Sequence, residues 1–137
     1  MIITNSDGGA RGNPGPGAIG IVVRNGNKIL TMYGQRIGNY VTNNVAEYEA
    51  LIKALELAKP LTKEVYCFID SELVVKQLLG KYKVKDKRLL QLFLRVQKLQ
   101  EHFDKIKYEH VKREDKFQTI ADELVNRELD DTARFYK

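Results

Sequence analysis

The sequence has one cysteine, Cys67, two histidines and no tryptophan among its 137 residues. A single cysteine excludes any disulfide within the chain, and it lies in an apolar run, Val65-Tyr-Cys-Phe-Ile69, where it serves as a small buried hydrophobe. One thiol and only two imidazoles also argue against a structural zinc centre. No stretch approaches the ~18 apolar residues of a membrane span. Nor does a basic start lead into an apolar segment, so a cytoplasmic address without membrane contact is expected. Prolines number only three, and two of them fall in one short stretch near the start. Residues 1–137 are expected to form a single domain, large enough for one core without staples. The net charge of +5 is compatible with a polyanionic partner without requiring one.

What is present is a succession of short patterned segments. Residues 2–6 suggest a strand that ends at a turn. Residues 7–17 hold five glycines and two prolines in eleven positions, which predicts no regular structure there. Residues 18–24 are β-branched and apolar, Asn25-Gly26 is a hairpin signal, and 27–36 form the returning strand. Residues 43–58 carry an apolar stripe at helical spacing that includes Glu47, and Pro60 stops it. A strand over 64–69, a helix over 71–79 ended by Gly80, and a second helix over 88–103 follow. Alternation over 105–111 predicts a last strand, and a polar loop at 112–118 leads to a helix from about 119 to 134. The order β-β-β-α-β-α-α-β-α predicts one mixed α/β sheet, three antiparallel strands and then parallel ones, flanked by about four helices.

Four acids stand out. Asp7 precedes a glycine and could be a turn residue. Asp70 ends a strand and could cap a helix. Asp122 follows Thr119 by three positions, and Glu47 follows Asn44 by three, as in a capping box. Glu47 fits that reading least, because a carboxylate on a core-facing stripe is costly unless it is paired or binds a cation. The carboxyl ends of strands are where α/β folds place ligands. Four converging carboxylates would repel unless hard divalent cations lay between them, and oxygen-only ligation suits Mg²⁺ or Mn²⁺.

The segment Asp7-Gly-Gly-Ala-Arg-Gly-Asn13-Pro-Gly-Pro-Gly resembles the opening motif of type 1 ribonucleases H. Thr42-Asn43-Asn44-Val-Ala-Glu47, Phe68-Ile-Asp70-Ser and Ile120-Ala-Asp122-Glu-Leu-Val-Asn are similar to that family's second, third and fourth motifs, in family order. The resemblance covers nearly the whole chain. It implies a ribonuclease H-like fold and an endonuclease that cuts the RNA strand of RNA/DNA hybrids, leaving 5′-phosphate and 3′-hydroxyl ends. It also implies a pair of Mg²⁺ ions, replaceable by Mn²⁺, held ~4 Å apart by Asp7, Glu47, Asp70 and Asp122. By the same resemblance Asn13, Asn44 and the backbone near Ser71 face nucleic acid, and Thr42 and Asn43 help bind a DNA phosphate, aided by a helix N-terminus.

Arg11 is a further phosphate candidate, and the basic run Lys81, Lys83, Lys85, Lys87 and Arg88 is expected to follow the DNA backbone. This is the compact form, lacking the extra basic helix and loop of larger relatives, and it is expected to act as a monomer. The loop 112–118 lacks the histidine that many relatives carry. Glu114 or Asp115 is expected to assist product release in its place, and His110 to be structural. Another nuclease or transposase of the same superfold, or a non-catalytic binding module, are the rival readings. Neither accounts for the two long motifs together with all four acids.

Overall fold

The β-branched run around Ile21 becomes the middle of a strand buried on both faces, β2 (Gly15–Asn25). The computed structural model describes residues 1–135, with side chains through Asp131. Strand β2 lies antiparallel between β1 (Ile2–Ala10) and β3 (Lys28–Val41). Gly26, at φ 56°, closes the β2–β3 hairpin in the left-handed conformation that an Asn-Gly turn requires. On its other side β1 pairs in parallel with β4 (Glu64–Ile69), and β4 with β5 (Lys105–His110). The sheet order is β3-β2-β1-β4-β5, a ribonuclease H-like fold with three antiparallel strands followed by parallel ones.

Alternation along β2 assigns the helices to two faces. Ile19, Ile21 and Val23 pack against Ala50 and Ala54 of α1 (Asn43–Ala58). Ala18 and Val22, between them, meet α4 (Lys116–Phe135) through Val125, Leu129, Phe117 and Ala121. The α1 face continues across β4, where Tyr48, Leu51 and Leu55 join Val65, Cys67 and Ile69. Val74 and Val75 of α2 (Glu72–Leu78) and Leu92 and Val96 of α3 (Lys87–Gln100) close that core. Among the described residues no helix is long and apolar enough to cross a membrane.

Three helices start at caps whose side chains accept a backbone N–H: Thr42 from Val45, Ser71 from Val74 and Asp86 from Leu89. Two expectations are corrected. The glycine-rich stretch is mostly strand, because Asp7 to Ala10 pair with Gly20 to Gly17 and only residues 11–14 turn. Glycine is admitted to these strands where another backbone comes close. The last helix begins at Lys116, three residues earlier than expected. Asp115 Oδ1 accepts from the Phe117 and Gln118 N–H groups at 3.0 and 3.1 Å, so Asp115, and not a box around Thr119 and Asp122, starts it.

Candidate active site

Asp7 does not end its strand. It sits within β1, and two glycines bring helices against the sheet beside it. A Cβ built on Gly8 would lie 2.2 Å from the Ala46 carbonyl oxygen, so α1 can approach only because that side chain is missing. This contact delivers Glu47, whose Oε1 accepts the Gly8 N–H at 3.2 Å. On the opposite face Gly20, the cross-strand partner of Asp7, does the same for α4: a Cβ there would lie 2.2 Å from the Ala121 carbonyl oxygen. The next residue of α4 is Asp122. Strand β4, parallel to β1, ends at Ile69 and hands the chain to Asp70.

One cleft is lined by Asp7, Glu47, Asp70 and Asp122, together with Arg11, Asn43, Asn44, Ser71 and Arg113. Glu47 is only 8% exposed, and its Oε2 has no hydrogen-bond partner. Burial, and then the Asp7 carboxyl beside it, push the Glu47 carboxyl well above its usual range. Burial likewise raises Asp7 to about 7; a hydrogen bond with Glu47 works against the shift, while Asp122 and the charge of Asp70 add to it. At the rim, Asp70 Oδ2 lies 3.6 Å from Arg113 Nε, and Asp122 Oδ2 accepts from Asn126 Nδ2 at 3.3 Å.

Among the described residues no three of these acids are already drawn into a metal-holding cluster. The donors nevertheless fit a hard divalent cation. They are all oxygen, and a buried carboxylate oxygen without a partner is otherwise a cost that a cation removes.

The asparagines tie the turn to the helix. Ala10 N–H donates to Asn43 Oδ1 at 2.9 Å, and Asn43 N–H to Asn13 Oδ1 at 3.0 Å, leaving both side-chain NH₂ groups to other partners. Asn13, Thr42 and Asn44 line a second, neighbouring groove with Arg36, Tyr40, Arg88 and Arg95. Arg11 reaches Asp130 at 2.5 Å. Lys81, Lys83 and Lys85 lie exposed and line neither groove.

Glu114 does not line the acid cleft, and Asp115 is engaged as the cap of α4. The residue that sequence reasoning passed over is Arg113, whose guanidinium is held above its ordinary range by Asp122 first and Asp70 next. Its signal was a basic side chain directly beside the expected helper. His110 Nε2 lies 3.1 Å from the Asp70 carbonyl oxygen, an atom that can only accept.

A family model described as reverse transcriptase-like matches residues 5–128. The ribonuclease HI of Halobacterium salinarum is 42% identical over 91% of this chain and 62% of its own length. A bifunctional protein of Mycobacterium tuberculosis is 42% identical over 97% of this chain, but only 36% of its own length. The chain thus spans about a third of that mycobacterial relative. Among solved structures, LC11-RNase H1 in complex with an RNA/DNA hybrid superposes with a TM-score of 0.90 at 39% identity, covering 97% of this chain and 99% of that one.

Proposed function

Because this chain belongs to the ribonuclease H1 family, we propose that it is an endonuclease that hydrolyses the RNA strand of RNA/DNA hybrids. The observation that carries the reading is the cleft itself. Four separate segments supply one acid each, and burial raises two of them, Asp7 and Glu47, above their usual range, so a bound cation would favour their ionised forms. Asp7, Glu47, Asp70 and Asp122 would hold two Mg²⁺ ions, with Mn²⁺ as a substitute. The ions, when bound, supply positive charge to an attacking water and to the departing 3′ oxygen.

The chain's own groups do the rest. The Gly8 N–H orients Glu47 so that one carboxylate oxygen stays free. Asn43 and Asn44 sit at the α1 N-terminus with NH₂ donors suited to a sugar hydroxyl or a base edge. Ser71 and its backbone line the same cleft from the start of α2. Arg113 carries a guanidinium that can leave Asp70 for a phosphate, a better bidentate partner. Thr42, Asn13 and the neighbouring arginine-lined groove would take the DNA strand, with Arg11 and the exposed lysines 81, 83 and 85 adding nonspecific grip.

LC11-RNase H1 was solved with an RNA/DNA hybrid, and that supports the same substrate here. Residues 1–137 would act as one catalytic domain, monomeric and in the cytoplasm, leaving 5′-phosphate and 3′-hydroxyl products. The test is cleavage of a labelled hybrid, an RNA duplex and a DNA duplex in Mg²⁺ and in Mn²⁺, by the unmodified chain and by Asp70→Asn. Cleavage of hybrid with the DNA duplex intact, and a loss of at least about a hundredfold in the variant, is expected. Undiminished cleavage by Asp70→Asn would sink the assignment.

A further inference from the structure

Gln118 is fully buried, and both ends of its amide are engaged. Its Nε2 donates to the Ser6 carbonyl oxygen at 2.7 Å, and its Oε1 accepts from Asn5 Nδ2 at 3.2 Å. Asn5 is held in turn: its Oδ1 accepts from Arg24 Nε at 2.9 Å. The Arg24 guanidinium lies 4.0 Å from the ring centroid of Phe117 and donates from Nη1 to the Gly26 carbonyl at 2.8 Å. A buried primary amide is costly unless every polar atom finds a partner, so this position carries a polar side chain for a reason other than filling space.

Its place suggests the reason. Gln118 stands one helical turn before Asp122, on the same side of α4. The carbonyl it grips belongs to the peptide directly before Asp7. One side chain therefore bridges the segments that carry two of the four acids. The apolar contacts of α4, Val22 with Ala121 and Ala18 with Val125, are non-directional and tolerate a slide along the sheet. Gly20 permits the close approach of Ala121 without fixing where along the sheet it occurs. A pair of hydrogen bonds does fix it, because their strength depends on distance and angle.

We propose that Gln118 is a positioning residue that sets the separation of Asp122 from Asp7, and so the affinity of the acid cleft for divalent cations. This rests on reading the cleft as a metal site. The role is reserved to α4, because Glu47 is held by the Gly8 N–H directly and needs no such bridge.

The experiment compares the unmodified chain with Gln118→Met, Gln118→Asn and Val96→Ala. Val96 is buried between α3 and α1, away from the acids, and its truncation lowers stability alone. Mn²⁺ binding is measured by calorimetry, thermal unfolding is followed in EDTA, and kcat and KM are measured on a labelled hybrid. Gln118→Met is expected to bind Mn²⁺ about tenfold more weakly and to lose kcat, with KM for the hybrid changed less than about twofold. Gln118→Asn, which keeps an amide but reaches less far, falls between, and Val96→Ala unfolds earlier yet binds Mn²⁺ as the unmodified chain does.

Unchanged Mn²⁺ affinity in Gln118→Met overturns the proposal, and so does an equal loss in Val96→Ala. If Gln118→Met does not fold, Gln118→Asn decides by the same two outcomes. An unmodified chain that neither binds Mn²⁺ nor cleaves hybrid overturns the reading of the site itself. An unmodified chain that does both, beside a Gln118→Met of equal affinity, overturns only the positioning role.

Discussion

The two faces of the sheet solve the same problem by different chemistry. On the α1 side, large aliphatic and aromatic side chains form one continuous core from β2 across β4 to α3. On the α4 side, small apolar clusters are separated by a buried polar strip of Arg24, Asn5 and Gln118. Each face delivers one acid to Asp7: Glu47 from the apolar side and Asp122 from the polar side. A helix seated on a broad apolar core is fixed by the area it buries. A helix with less to bury needs directional bonds to bring one residue to one place.

Substitution at the two glycines tests that difference most severely. Gly8→Ala sets a Cβ against the backbone of α1, which its core does not let move, and is expected to cost about 4 kcal/mol or more in urea unfolding. Gly20→Ala makes an equally short contact against a helix seated on smaller apolar clusters, so a cost of about 1–2 kcal/mol and a large loss of hybrid cleavage are expected. Equal unfolding costs would break the comparison.

The meeting point of the two faces titrates. Asp7 holds its proton to about 7 in the folded chain and gives it up near 3.8 when unfolded. The unfolded chain therefore releases this proton first. Metal-free stability should fall as pH rises from about 4 to about 7, by on the order of 3 kcal/mol from Asp7, with the raised Glu47 adding in the same direction. Urea titrations in EDTA at pH 5 and pH 8 check the direction. Mg²⁺ at pH 8 should restore stability, and Asp7→Asn should remove the Asp7 share of the metal-free slope while leaving that of Glu47. A metal-free protein more stable at pH 8 than at pH 5 contradicts it.

The polar strip is tested by Arg24→Met, which leaves Asn5 Oδ1 and the Gly26 carbonyl without their donor. A cost of about 1–2 kcal/mol is expected in thermal or urea unfolding. A neutral result would mean that the strip contributes no more than apolar contact. Smallest in stability is Arg113→Ala, expected to change unfolding by less than about 0.5 kcal/mol because the Arg113 side chain is largely exposed and its contact with Asp70 is long, at 3.6 Å. Its effect should appear as a several-fold rise in KM for hybrid and a weaker dependence of binding on salt. An unchanged KM would remove Arg113 from the site.

The helix over 43–58 was legible to its ends, because its apolar stripe and Pro60 just beyond it are local signals. The start of the last helix was not. Thr119 and Asp122 imitate a capping box, whereas Thr119 Oγ1 donates to the Arg113 carbonyl and Asp115 holds the open N–H groups. The glycine-rich segment was misjudged for a related reason. Glycine signals a turn when alone, but beside a crossing helix it signals close approach, and the sequence does not say which helix crosses where. Arg113 was hidden by the expectation of a carboxylate or an imidazole in its loop.

Composition and alternation determined the strand and helix order, because those signals act within one turn of helix or one pair of strand residues, and the four motifs pointed to the family. Only the tertiary structure decided that Gly8 and Gly20 admit a helix on each side of Asp7, that Arg113 and not Glu114 lines the cleft, and that Gln118 grips Ser6 across 112 positions of chain. Those contacts depend on how helices settle on the sheet, which is set by the summed burial of both faces and is written in no single segment.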